Sequence, residues 1–280
     1  MIDLHLHSTC SDGTDPPGRI AELAAAAGCS AFALTDHDTL DGTAEARRRA
    51  AELGLTAVPG CEMSCSFRGR GAHVLVYWVD EGDGALHQEL VRLRTDRVAR
   101  NRALVARLGE LGIPISYDEV VAEAAAEAAV GRPHVAAVMV RHGAAESIPD
   151  AFDRWLARGR PAHVPKDRLA VADAAALARG AGGVAVLAHP LTLGLADREL
   201  DGAVAELAGA GLAGLEVRYA RYDRHQRAAL DQLAQRHGLV ATGGSDYHGT
   251  VKSGLAVGVG RGDLVVPDDV LEALAARRPA

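Results

Sequence analysis

Short apolar runs alternate with alanine-rich helical stretches along most of this chain, and that alternation restricts its fold more than any other feature. Strand-like runs are legible at 1–7, 29–35, 55–58, 72–79, 183–187, 214–217, 239–242 and 255–259. Helical spacing occupies 19–27, 43–53, 171–181, 198–210 and 224–237, with a short helix near Val270. Pro16-Pro17 marks a helix start, and Gly28 and Gly54 mark helix ends. Strand-helix repetition of this kind predicts a largely parallel sheet with helical crossovers, whose functional groups gather at the carboxyl ends of the strands. His73 falls near the beginning of its run, which predicts that this strand runs against its neighbours. From 84 to 111 the pattern becomes one long arginine-rich helix, followed by further helices to about 159. A helical insertion at 91–164 is therefore expected within a barrel domain formed by 1–90 and 165–280.

The polar residues follow the strands. His5 and His7 lie two apart in the first run, so both imidazoles share a face. His37, Glu62, His73, His134, His189, Asp246 and His248 then recur where later elements end or begin. Neutral imidazoles and carboxylates are the ligands of borderline divalent metals. Seven histidines with Asp12, Glu62 and Asp246 exceed the needs of one ion, which points to two or three ions of manganese, iron or zinc. Metals about 3.5–4 Å apart can share a hydroxide nucleophile and clamp a phosphoryl group in line. Phosphoester hydrolysis is the reaction such an arrangement serves. There is no Gly-x-Ser-x-Gly elbow, and Gly182-Gly183 precedes a strand, the wrong context for a phosphate or dinucleotide loop.

A net charge of −7 argues against a broad basic nucleic-acid surface, so no stable nucleic-acid complex is expected. A small anionic substrate remains compatible with local positive charge. Apolar and charged shares of 48% and 24% leave no reason to expect disorder. Cys10, Cys29, Cys61 and Cys65 are too few for a disulfide framework, and Cys61 and Cys65 read as core residues flanking Glu62. With no apolar run of membrane length and no leader-like start, a cytoplasmic protein is expected, with no membrane partner.

His5-Leu6-His7 with Ser11-Asp12-Gly13, Thr35-Asp36-His37-Asp38, Pro59-Gly60-Cys61-Glu62, Ala72-His73, Gly131-Arg132-Pro133-His134 and Gly244-Ser245-Asp246-Tyr247-His248 form an ordered series. It resembles the motifs of the PHP (polymerase and histidinol phosphatase) superfamily. The resemblance implies a distorted seven-stranded β/α barrel with a metal cluster at one mouth. It implies one site from His5, His7, Glu62 and Asp246, a second from Glu62, His73 and His134, and a third from Asp12, His37 and His248, with Asp12 and His248 close to the chemistry. The chain looks most like the nucleoside 3′,5′-bisphosphate phosphatase branch, whose members also trim the 5′ ends of short RNA. That branch releases phosphate from a small nucleotide. Histidinol phosphate or another small monoester, a 5′-3′ exonuclease activity, and a non-catalytic binding module are the rival readings. Arg132, Lys166 and Arg218 are candidates for holding phosphate charge, and His189 for contacting substrate or protonating the leaving oxygen. The segments after Pro190 (Leu191-Thr192-Leu193) and after Glu216 depart from the branch pattern where substrate would sit.

Overall fold

A computed structural model describes residues 1–79, 82, 84–124, 130–165 and 168–279. The chain divides into two compact units, Met1–Leu90 with Arg168–Ala280, and Val91–Asp167. In the first, the elements run β1 (Ile2–Leu6), α1 (Pro17–Ala26), β2 (Ala31–Leu34), α2 (Thr43–Glu52), β3 (Thr56–Phe67) and β4 (Arg70–Tyr77). The long helix α3 (Ala85–Glu110) leads to α4 (Tyr117–Ala124), α5 (Arg132–Arg141) and α6 (Ile148–Ala151). The order then continues with β5 (Leu169–Ala170), α7 (Val171–Gly180), β6 (Val184–Leu187), α8 (Asp197–Gly209), β7 (Gly214–Tyr219), α9 (Arg224–Arg236), β8 (Val240–Gly244) and α10 (Asp269–Ala275).

Among the described residues the sheet follows the order β1-β2-β3-β4-β6-β7-β8, with β5 paired to β3 off that path. Pairing is parallel except where β4 runs against both β3 and β6, as the position of His73 required. The ends of the path meet through a few bonds: Asp246 N–H donates to His5 O at 2.9 Å, and His7 N–H to Tyr247 O at 3.0 Å. The result is the expected distorted seven-stranded β/α barrel, nearly closed.

Strand alternation divides the barrel wall into an inward and an outward set. Ile2, Leu4, Ala31, Ala33, Val58, Leu75, Tyr77, Val184 and Val186 share one core cluster, while Leu6, Phe32 and Leu34 pack with Ile20, Ala24 and Ala46 of the covering helices. In β1 the switch from Leu4 inward to Leu6 outward needs a break in the period of two. The register supplies it, for Asp3 pairs with Phe32 and Leu6 with Leu34, so three steps on β1 oppose two on β2. Past the bulge, His5 and His7 take the inward phase above the apolar layer. Gly244 lets β8 approach β1 here, because a Cβ at this position would sit 2.4 Å from His5 Cβ and 2.5 Å from its backbone nitrogen.

Three sequence expectations require correction. The strand expected at 55–58 runs on to Phe67, because Pro59-Gly60 marks a change of partner and not an end: Pro59 pairs with Leu34 of β2, and Gly60 with Tyr77 of β4. Proline suits such a handover, having no N–H to give the ladder. Arg68 and Gly69, at φ of 48° and 72°, form the two-residue turn into β4. The strand ending expected at Val217 continues to Tyr219 across a second irregularity between Glu216 and Arg218. The strand expected at 255–259 is absent, since Gly254, Gly258 and Gly260 adopt φ of 81°, 79° and 57° and coil the segment, leaving one bridge between Ala256 and Gly260.

The helical unit has its own core, in which Leu104, Leu108, Val120, Val135, Met139 and Leu156 are buried together. Pro133 occupies the first turn of α5, where its missing N–H costs nothing.

Candidate metal centre

Metal-competent side chains from β1, β3 and β4 and from the segments after β1, β2 and β8 meet at one barrel mouth. Glu62, from the middle of β3, is the hub. Its Oε2 lies 3.3 Å from His5 Nε2, 3.1 Å from His7 Nε2 and 3.1 Å from His37 Nδ1. Its Oε1 lies 2.8 Å from His73 Nδ1 and 2.9 Å from His189 Nε2. Asp246 Oδ1 stands 3.4 Å from His5 Nε2, His7 Nε2 and His248 Nδ1. Asp12 Oδ1 reaches His248 Nε2 at 3.2 Å, and its Oδ2 reaches His37 Nε2 at 3.8 Å.

Among the described residues, three groups have ligand atoms close enough to hold an ion: His5, His7, Glu62 and Asp246; His7, Asp12, His37 and His248; and His37, Glu62 and His73. Nε2 of His5, His7 and His248 and Nδ1 of His37 are buried and make no hydrogen bond. Unmade hydrogen bonds on so many buried ring nitrogens would be costly, whereas coordination to a cation would satisfy all of them at once. Imidazole and carboxylate donors at these spacings fit borderline divalent metals.

The PHP domain pattern matches residues 3–127 of this chain. A 3′,5′-nucleoside bisphosphate phosphatase from Chromobacterium violaceum is 33% identical over 257 residues, covering 92% of this chain and 90% of the relative. The chain belongs to the PHP-domain family. A 5′-3′ exoribonuclease from Haemophilus influenzae is 32% identical over 246 residues, covering 88% and 89% of the two chains. The solved structure of an amidohydrolase from C. violaceum, with bound sulfate and no metal, superposes with a TM-score of 0.87 at 32% identity, covering 100% and 98%. This PHP protein is a metal-dependent phosphoesterase, an enzyme that hydrolyses phosphate esters. That sets aside the reading as a non-catalytic module.

Around the PHP cluster a further layer fixes its side chains. Buried Glu216 spans two of them, with Oε1 at 2.8 Å from His5 Nδ1 and Oε2 accepting the His189 N–H at 2.6 Å. The second oxygen of Asp246 is taken by Tyr219 Oη at 2.7 Å and Lys252 Nζ at 2.6 Å, leaving Oδ1 turned to the imidazoles. Asp36 accepts from Ser8 N–H at 2.8 Å and from the hydroxyls of Ser8 and Ser11 at 2.6 and 2.5 Å, fixing the loop between His7 and Asp12. Such supports orient ligands and tune their basicity. His189 and Asp246 hold φ of 28° and 52°, backbone conformations that a side chain adopts at a cost.

Charge is unevenly shared. Burial pushes Glu62 up, but His37, His73 and His5 and the His189 hydrogen bond outweigh it and hold the carboxyl well below its usual range. Burial likewise opposes the ionisation of Asp246, and Lys252, His248 and His5 overcome that cost and hold its carboxyl well below the usual range. His5 is buried too, yet Glu216, Glu62 and Asp246 on its two ring nitrogens raise it well above 6.5. His7 is raised to about 9, its burial outweighed by Asp246 and Glu62. Burial dominates at His37 and His248, which are lowered, with the neighbouring His7 adding to the effect.

Nine residues are expected from the sequence to hold metal. Eight of them, His5, His7, Asp12, His37, Glu62, His73, Asp246 and His248, enter the three groups, with His7, His37 and Glu62 each serving two. His37 completes the group with Glu62 and His73. His134 belongs to the helical unit, where its Nδ1 accepts the Gly131 N–H at 3.0 Å. Arg132 also lies in that unit, its guanidinium over Phe152. Lys166 lies outside the described residues. Arg218 is not at the cluster: its guanidinium donates to Ala241 O at 2.7 Å and pairs with Asp231 at 3.5 Å, because the irregularity after Glu216 turns it from the mouth and gives Tyr219 the inward place. His189 does line the cavity beside Glu62 and His73, as do Tyr219, Arg168 and Lys252. The sequence reading missed the last three and Glu216. Tyr219 and Glu216 carried a signal in their three-residue spacing on one strand, which only a bulge places on one face.

Proposed function

We propose that this PHP enzyme releases phosphate from a small nucleotide, a nucleoside 3′,5′-bisphosphate. The observation that carries the reading is the cavity over the cluster, about 320 Å³, with Glu62, His73 and Asp246 in its wall and the cations Arg168 and Lys252 beside them. That volume suits a ligand of mononucleotide size. The bisphosphate phosphatase among the relatives supports the same choice.

In this reading the three groups hold two or three divalent ions of manganese, iron or zinc. Bound there, such ions activate water and withdraw charge from the phosphoryl oxygens. Glu62 and Asp246 each face several imidazoles, and Glu62, His7 and His37, each in two groups, join them into one centre. Thr192 orients His189: its hydroxyl donates to His189 O at 2.9 Å, so its oxygen accepts from Nδ1 at 3.0 Å. With a hydrogen on each ring nitrogen, Nε2 faces the cavity and Glu62 at 2.9 Å, placed to contact the substrate phosphate or to give that proton to the leaving oxygen and leave the ring neutral.

The exoribonuclease relative favours a second reading, removal of nucleotides from the 5′ end of short RNA. Phosphate release from adenosine 3′,5′-bisphosphate, AMP and histidinol phosphate, with nucleotide release from 5′-phosphorylated oligoribonucleotides, separates the two. Faster turnover of the bisphosphate is expected. No release from it would end the first reading.

A further inference from the structure

We infer that Arg168 selects substrates bearing a second phosphate, which rests on the bisphosphate reading and assigns a residue to it. Arg168 lines the same cavity as Glu62, His73 and Asp246. Its guanidinium lies where residue 71 would otherwise carry a side chain: a Cβ built on Gly71 would fall 2.0 Å from Nη1 and 3.0 Å from Cζ. The adjoining residues are fixed, since β5 pairs Leu169 with Cys65 and Ala170 with Ser66, and Ser66 itself pairs with Gly71. Glycine at 71 and the two-residue β5 together hold a planar cation at the rim of the metal mouth.

Its position defines what it can grip. Gly71 and His73 are two apart on β4 and share a face, one pleat repeat of about 6.6 Å. A phosphoryl group at Glu62 and His73 and an anion on Arg168 are therefore separated along β4 by about the span of a ribose between its 3′ and 5′ phosphates. A guanidinium holds two phosphate oxygens at once and is chosen over an ammonium where that geometry matters. A substrate with one phosphate at the metals presents nothing to this group, so Arg168 favours the bisphosphate over the monophosphate.

The test compares the metal-loaded wild type with Arg168→Ala, Arg168→Lys and Gly71→Ala, using adenosine 3′,5′-bisphosphate and p-nitrophenyl phosphate. Gly71 is exposed, so Gly71→Ala displaces the guanidinium while retaining its charge. Arg168→Ala should raise KM for the bisphosphate about tenfold or more with little change in kcat, the size expected for a charge-assisted pair. Gly71→Ala should move KM in the same direction and Arg168→Lys should restore part of it. Turnover of p-nitrophenyl phosphate should stay within about twofold throughout. Equal losses on both substrates, or an unchanged KM for the bisphosphate, would overturn the assignment of Arg168 alone. A wild type that turns over p-nitrophenyl phosphate but neither binds nor cleaves the bisphosphate would instead defeat the substrate reading, and this inference with it.

Discussion

Replacing Gly244 by alanine tests whether the barrel seam is what assembles the metal centre. The added Cβ would stand 2.4 Å from His5 Cβ and 2.5 Å from His5 N, against the roughly 3.5–4.0 Å that carbon atoms prefer. Both contacts lie on β1 and β8, so the strands must separate by about 1 Å or more. That movement stretches the two bonds closing the seam, Asp246 N–H to His5 O and His7 N–H to Tyr247 O. Two hydrogen bonds at about 1 kcal/mol each, with an overpacking cost of about 1–3 kcal/mol, give an expected destabilisation of about 3–5 kcal/mol. The same shift carries His5 away from Asp246, and ligand distances tolerate errors of only about 0.2 Å. Gly244→Ala should therefore show a lowered urea midpoint with an unchanged slope, together with loss of tightly held metal and of phosphatase turnover. Equilibrium denaturation and elemental analysis of the dialysed protein provide the check. A variant with wild-type midpoint and metal content would refute the claim that close packing of these strands sets the ligand geometry.

Loading metal at pH 7 into protein stripped by a chelator should release about two protons, one from each of His5 and His7, because a coordinating Nε2 cannot keep its hydrogen. With His7 at about 9, its charged form outnumbers the neutral form by about 100 to 1 at pH 7, whereas His37 and His248 are already neutral and contribute nothing. Calorimetric titration in buffers of different ionisation enthalpy counts the protons, and a count near zero would contradict the pairing. In the stripped protein His7 is raised above its unfolded value of about 6.5. Its stabilisation is thus complete below pH 6.5 and lost as pH rises through about 9, so the thermal midpoint should fall across that window. Glu216→Gln should weaken metal binding about 10–100-fold while leaving the circular dichroism intact, since an amide offers one acceptor oxygen where His5 and the His189 N–H need two. Wild-type metal affinity in that variant would show that Glu216 supports the barrel and not the ligands.

Strand-helix alternation, the reversed sense of β4 and the chemical type of each ligand were legible in the linear order of residues, because they depend on periodicity and donor chemistry within a few neighbours. Where each phase breaks was not. The bulge after Asp3 seats His5 and His7 above Leu4, the handover at Pro59-Gly60 puts Glu62 in mid-strand, and the irregularity after Glu216 exchanges Arg218 for Tyr219 at the mouth. Each is a register between strands distant in the chain, and a shift of one residue moves a side chain to the opposite face. The sequence by itself thus determined which atoms could bind metal. Tertiary structure decided their grouping, with His7, His37 and Glu62 shared between groups, because the pairing of β2 with β3 and β3 with β4, and the closing of β1 against β8, bring atoms distant in the chain within reach of one another.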